Sequence, residues 1–440
     1  MPARIRCTLW FSIMLICYRS FSQTGSIQKI TCQADTTHRY ALYLPSSYTD
    51  TSFYPLIIFF DPGARGDLPL LRYKELADEM GLIMAGSFNS RNFEPGVSEK
   101  AFVAIYNDIV NKYSVRAGAV WLSGFSGGAR IASSLSMVYN EINAVIACGA
   151  GFADDAAIIP SSVKPYAAIV GKKDMNYSEL LDNNHFLDKN SVNNILLVFE
   201  GDHTWPGIDH MGLAIEWLLE QKVTTARGGR YLKTIDSVSA GGSLYPCWQE
   251  LVQLNKIPAY KRIAMEKAEL IAASKEFAGD QKKFEEAIEA ETNYINRFSL
   301  LLQKTFSKEN KTDKAAWQQM AADLSAFKNS NEKYMQESGV RCADHSYRSS
   351  LETYYQFMNT GEFEISLRIA EALTWFGTST INSYYLAAKS SSMMGNKKMA
   401  EKNLKEAIKK GGLTETTLLN DRHLQKTFSQ QEIHDILSGK

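Results

Sequence analysis

Residues 124–128 read Gly-Phe-Ser-Gly-Gly, a G-x-S-x-G preceded by the β-rich Val120-Trp121-Leu122 and followed by a segment of helical period, Ala129 to Tyr139. A serine at a sharp strand-to-helix turn has its hydroxyl exposed above the sheet, near a helix N-terminus where developing negative charge is favoured. Gly124 and Gly128 then fall where a Cβ would collide with neighbouring backbone. Such a serine attacks an acyl carbon, and its hydroxyl needs a base to do so. The base needs an orienting acid, and in this arrangement the chain order is serine, acid, histidine.

Three histidines follow Ser126 within the strand-rich half: His185, His203 and His210. His203 lies in Gly201-Asp202-His203-Thr204-Trp205, after the last strand candidate and before the last helix, where a base is delivered to the sheet edge. His210 falls within a helical series and His185 in a polar stretch, so both read as surface residues. For the acid, Asp174 follows the strand Ala167 to Val170 through Gly171-Lys172-Lys173, at the edge where open α/β sheets place their sites. Asp154, Asp155 and Asp202 compete with it. Asp202 is the poorer orienter, because adjacent loop residues seldom point at each other's ring nitrogens.

A tetrahedral intermediate requires two hydrogen-bond donors for its oxyanion. One is the Gly127 amide, and the other is expected from the loop after the strand Tyr54 to Phe60, which reads Asp61-Pro62-Gly63-Ala64-Arg65-Gly66. Pro62 has no N–H, which leaves Gly63 first and Ala64 second. A donor-rich stretch, Ser87 to Asn92, follows another strand at the same edge. The stretch is expected either to line the substrate cleft, with Asn89 as its substrate-binding residue, or to cap the next helix with its Asn and Ser residues.

Positioning these groups requires a particular order of elements. From about residue 28 to 221, short β-rich runs alternate with helical stretches: Tyr54–Phe60, Leu82–Ala85, Val120–Leu122, Ala144–Cys148, Ala167–Val170 and Ile195–Phe199. Alternation of this kind predicts parallel strands joined by helical crossovers. Lys29–Gln33 and Arg39–Leu44 come first without a helix between them and predict an antiparallel hairpin at one edge. Helix faces are expected at Ile131, Leu135 and Val138, and at Ile208, Met211, Ile215 and Leu218. Residues 222–244 carry Gly228, Gly229, Gly241 and Gly242 among serines and threonines, which is linker chemistry. Beyond them the chain is dense in Ala, Glu, Lys and Leu and is expected to be helical. Residues 245–345 show no repeat. Within 346–440, segments around Gly361 and Gly395 are offset by 34 residues, pairing Tyr354 with Ala388, Ser366 with Ala400, Ala370 with Leu404 and Leu373 with Ala407. That period and those small or apolar positions resemble a tetratricopeptide repeat. Such helices offer a concave surface for a protein partner.

Together the tokens Gly124–Gly128, the Gly-x-x-Asp of Gly171 to Asp174, and Gly201-Asp202-His203-Thr204-Trp205-Pro206-Gly207 resemble the polyhydroxybutyrate-depolymerase and feruloyl-esterase branch of the α/β-hydrolases. The likeness covers about residues 28 to 220 and departs at Asp61-Pro62, where those enzymes carry His-Gly. It implies a mostly parallel sheet with helices on both faces, here followed by an all-α domain. It also implies an exported serine hydrolase that cleaves acyl, feruloyl or polyester bonds with Ser126, Asp174 and His203 and no cofactor or metal. Trp205 would either wall the substrate pocket or sit in the core. A serine peptidase of the same fold, or an inactive fold serving a repeat-mediated binding protein, uses the same tokens.

Lys plus Arg and Asp plus Glu both total 48 in a chain of 440 residues, so no global field draws in nucleic acid or an anionic membrane. Arg4 and Arg6 followed by the mostly apolar run Cys7–Tyr18, with Ser20 and Ser22 after it, read as a signal peptide over 1–22. The run is too short for a transmembrane span. Export would leave Cys32, Cys148, Cys247 and Cys342, which allow three pairings, with Cys148 better suited to a buried free thiol.

Overall fold

The computed structural model describes residues 23–92, 94, 96–153, 158–307, 312–376 and 382–438. The expected signal segment 1–22, with Cys7 and Cys17, and the competing acids Asp154 and Asp155 lie outside them.

Eight strands form one sheet: β1 (Ile27–Thr31), β2 (Arg39–Tyr43), β3 (Tyr54–Phe60), β4 (Ile83–Ser87), β5 (Val115–Phe125), β6 (Ala144–Cys148), β7 (Tyr166–Gly171) and β8 (Asn194–Phe199). Their order is β1-β2-β4-β3-β5-β6-β7-β8. β1 and β2 form the expected antiparallel hairpin, β2 runs antiparallel to β4, and the strands from β4 through β3 to β8 are parallel. Strands buried on both faces have no polar alternation, and β3, Tyr-Pro-Leu-Ile-Ile-Phe-Phe, is buried throughout. The pleat sends Ile57 and Phe59 into one core and Leu56, Ile58 and Phe60 into another.

Helices α1 (Asp67–Met80), α2 (Val97–Val110), α3 (Gly127–Val138), α4 (Tyr177–Lys189) and α5 (Ile208–Leu218) cover the sheet. α1 and α5 pack on one face and α2, α3 and α4 on the other. The architecture is the expected α/β-hydrolase arrangement: a mostly parallel sheet with helices on both faces, followed by helices. The buried face of α3 differs from expectation. Leu135 is buried as expected, but Val138 is 70% exposed and Ile131 only partly buried, while Ala129, Ala132, Ser133 and Ser136 are buried instead. A helix entered from so tight a turn starts close to the strands, and small side chains are what the gap admits.

Residues 222–244 are not a linker. They hold α6 (Ala226–Ala240), whose N-cap Thr225 accepts a hydrogen bond from the Gly228 amide. α7 (Leu244–Leu254) and α8 (Lys261–Ala272) follow. Tyr231, Leu232, Ile235, Leu251, Leu254 and Tyr260 join the same apolar cluster as β3 and α5. Gly228 serves close packing: a β-carbon there would lie 2.1 Å from Cζ of Tyr260.

The remaining helices are α9 (Phe277–Phe306), α10 (Lys314–Lys328), α11 (Lys333–Thr360), α12 (Phe363–Phe376), α13 (Ser383–Met393), α14 (Lys397–Lys410), α15 (Glu415–Leu419) and α16 (Gln430–Ser438). α9 and α11 each begin against the sheet domain, through Phe284, Ala287 and Tyr334, before entering a separate core with α10, α12 and α13. All eight residues matched by the 34-residue offset are buried. No helix among the described residues is long and apolar enough to cross a membrane. Cys32, Cys148, Cys247 and Cys342 are buried free thiols.

Candidate active site

The loops at the C-terminal ends of β5, β7 and β8 converge on one point. β5 stops at Phe125, Ser126 takes φ 54° and ψ −122°, and α3 begins at Gly127. A positive φ at a non-glycine residue is strained and persists only where the surroundings enforce it. Here they do. The Ser126 amide donates to the Cys148 carbonyl at 2.8 Å. A β-carbon on Gly124 would sit 2.1 Å from the Gly128 carbonyl oxygen, and one on Gly128 would sit 2.0 Å from that of Phe60. The two glycines flanking the serine therefore let three backbone segments touch.

His203, in the turn between β8 and α5, is buried, with Nε2 2.9 Å from Ser126 Oγ and Nδ1 2.8 Å from Asp174 Oδ1. Phe125 packs against the imidazole, with ring centres 4.7 Å apart. Asp174 is fully buried, and its Oδ1 also accepts the Asn176 amide at 2.9 Å. Gly171 permits the loop: a β-carbon there would lie 2.5 Å from the Gly201 carbonyl oxygen, on the neighbouring loop that carries His203. Sequence reasoning thus named three residues that the structure brings into one hydrogen-bonded line. Asp202, its competitor, is exposed. His185 is exposed as expected, whereas His210 packs between Phe199 and Tyr231, and burial pushes its pKa down to about 4.

Four expectations are corrected or refined. The Gly63 amide is engaged by Asp61 Oδ1 at 2.9 Å, and the Ala64 amide by the Asp61 carbonyl at 3.0 Å, so neither points at Ser126 as a waiting donor. Trp205 is a core residue, edge-on to Phe59 and Tyr73 and tilted against Phe125, and its indole N–H donates to Asp61 Oδ2 at 3.0 Å. Burial alone would raise the Asp61 carboxyl; donors from Arg65, Trp205 and Gly63 outweigh it and hold the group below the usual carboxylate range. That network occupies the position where His-Gly was expected. Asn89 does not line the cleft: its amide bridges the Arg39 N–H and the Thr37 carbonyl. Gly127, the other expected donor, lines the cleft beside Ser126.

The cleft holds about 520 Å³ and is walled by both halves of the chain. The sheet domain contributes Asn92, Ser126, Gly127, Arg130 and Met175; α11 contributes His345, Ser349 and Glu352. Arg130 is held in a fork by Glu179, at 2.9 and 2.7 Å. The spacing 345, 349, 352 marks one helix face, a signal present in the sequence, but nothing in the sequence says which face meets the serine. Burial lowers the His345 pKa to about 4. α11 also sends Arg341 beneath the acid loop, where Nη1 donates to the Lys172 carbonyl at 2.9 Å and the guanidinium lies 4.8 Å from the Tyr177 ring centre. Its other nitrogens are taken by the buried Glu291 of α9, at 2.6 to 3.0 Å.

No family model matches this chain, and no curated protein does. Among solved structures, a hyperthermophilic esterase from the archaeon Pyrobaculum calidifontis is similar over 43% of this chain and 79% of its own, at 13% identity and a TM-score of 0.35. The feruloyl esterase module from Clostridium thermocellum is similar over 42% and 84%, at 16% identity and a TM-score of 0.36. An S-formylglutathione hydrolase from Staphylococcus aureus is similar over 45% and 98%, at 12% identity and a TM-score of 0.36.

Proposed function

We propose that this chain is a serine hydrolase that cleaves a carboxylic ester of acyl, feruloyl or polyester type. The observation that carries the reading is the unbroken line from Asp174 Oδ1 through His203 to Ser126 Oγ, at 2.8 and 2.9 Å, ending at a strained serine that opens onto a cleft. Ser126 Oγ attacks the ester carbonyl carbon as its proton passes to His203 Nε2. The C–O bond then breaks, and the departing alkoxide takes that proton. Water gives a proton to His203, attacks the acyl-enzyme, and releases the carboxylic acid as the proton returns to Ser126. Asp174 keeps Nδ1 protonated and stabilises the imidazolium throughout.

The N-terminal charge and apolar pattern support export. Burial of all eight offset-matched residues supports the tetratricopeptide-like reading of α11 to α14, and with it a docking role for a protein or polymer. Hydrolysis of p-nitrophenyl esters of graded chain length and of methyl ferulate, by wild type and Ser126→Ala, tests the activity. Equal turnover, or equal labelling by a fluorophosphonate, in the alanine variant would remove the assignment.

A further inference from the structure

The oxyanion needs two donors, and neither of the two amides expected to serve from the β3 loop is uncommitted. Pro62 has no N–H, the Gly63 amide donates to the Asp61 carboxylate at 2.9 Å, and the Ala64 amide to the Asp61 carbonyl at 3.0 Å. The Asp61 carboxylate is itself fixed by Arg65 at 2.7 and 2.9 Å and by Trp205 at 3.0 Å, so it does not release Gly63 cheaply. Directly across the nucleophile turn lies Asn92. A β-carbon on Gly127 would be 1.9 Å from Asn92 Oδ1 and 2.8 Å from Nδ2, so the side-chain amide rests on the Gly127 backbone, next to Ser126. Both residues line the cleft. Among the described residues, no group hydrogen-bonds the Asn92 side chain.

We propose that the Asn92 side-chain amide is the second oxyanion donor, acting together with the Gly127 N–H. This rests on the reading of Ser126 as the acylated nucleophile. The backbone of Asn92 is tied to the loop whose Gly63 and Ala64 amides are committed: its N–H donates to the Pro62 carbonyl at 3.1 Å, and Arg91 bridges Gly63. The backbone that carries the amide is therefore anchored, which limits where the side chain can reach and keeps it beside Gly127. A half-turn about the last torsion exchanges Oδ1 and Nδ2 without changing shape, so an N–H can face the cleft. When Ser126 Oγ bonds to the carbonyl carbon, the π pair moves onto the carbonyl oxygen. Asn92 donates a hydrogen bond to that oxygen and transfers no proton. Gly127 is then glycine because any side chain would evict this donor.

Steady-state turnover of p-nitrophenyl acetate by wild type, Ser126→Ala, Asn92→Ala and the isosteric Asn92→Asp tests the assignment. Removal of one oxyanion donor is expected to lower kcat by about 100- to 1,000-fold, with KM little changed and the thermal midpoint of Asn92→Asp near wild type. Asn92→Asp keeps the shape, so a loss confined to Asn92→Ala with normal turnover in Asn92→Asp would overturn the proposal. So would near-wild-type kcat in both, or a loss expressed only in KM. Failure of the underlying reading looks different: Ser126→Ala would then hydrolyse the ester as fast as wild type.

Discussion

The Arg341 guanidinium donates to the Lys172 carbonyl at 2.9 Å, two residues before the acid that orients His203. One hydrogen bond thus joins the helical half to the loop that carries Asp174. Arg341 is an expensive residue to place there, since its side chain is 3% exposed and Glu291 is fully buried. Losing one member of such a pair leaves the other charge uncompensated. Arg341→Met is expected to destabilise the fold by about 3–5 kcal/mol. Replacing both, as Arg341→Met with Glu291→Leu, should recover most of that stability but not turnover, because the Lys172 carbonyl still lacks the donor from Arg341. Chemical denaturation and kcat on one small ester check both halves of the expectation. Equal recovery of turnover would show that Arg341 acts on stability alone.

Asp174→Asn should lower kcat by about ten-thousand-fold, through the wrong imidazole tautomer, while the fold survives. Asp202→Asn, at an exposed carboxylate beside the base, should stay near wild type. Parallel kinetics on the two variants decide which acid serves His203, and the reverse ranking would reassign it.

A chain ending near Arg230 should not fold cooperatively. It cuts α6 and removes Tyr231, Leu232, Ile235, Leu251 and Leu254 from the cluster that covers one face of the sheet. Exposed apolar area of that size is expected to give an aggregating protein. Circular dichroism and gel filtration of the truncated chain measure this; a soluble, active fragment would contradict it.

His210 is kept neutral by burial, with a pKa of about 4 against 6.5 for an ordinary histidine. Below pH 6.5 the unfolded chain takes up a proton that the folded chain refuses until about pH 4, so the unfolded state binds more protons and stability drops as the pH is lowered across that window. His210→Phe, packed between Phe199 and Tyr231, should flatten the stability profile between those two pH values. An unchanged slope in urea unfolding at graded pH would contradict it.

How much of this was legible in the residue order differs from element to element. The line of Ser126, Asp174 and His203 was, because each residue closes a strand and its chain order follows the sheet. The role of Asp61 was not: a carboxylate that captures the Gly63 amide is visible only once Arg65 and Trp205 are seen to fix it. That Asn92 rather than Asn89 of the stretch Ser87 to Asn92 reaches the cleft was hidden for a similar reason, since only the backbone of Gly127 reveals what it faces. Residues 222–244 misled through composition. Gly228 looks like flexibility in a sequence, yet in the fold it marks where Tyr260 lies against a helix. The wall formed by His345, Ser349 and Glu352 depends on how α11 sits against the sheet, and no local pattern encodes that.

The separation between Arg341 and Lys172 is 169 residues. During synthesis from the N-terminus, Ser126, Asp174 and His203 all emerge well before the arginine that secures the acid loop and before the helix that closes the cleft. A half-made chain therefore carries every reacting group and still lacks the clamp. On the proposed function, hydrolysis is therefore expected only after α11 has been made and has packed on the sheet domain.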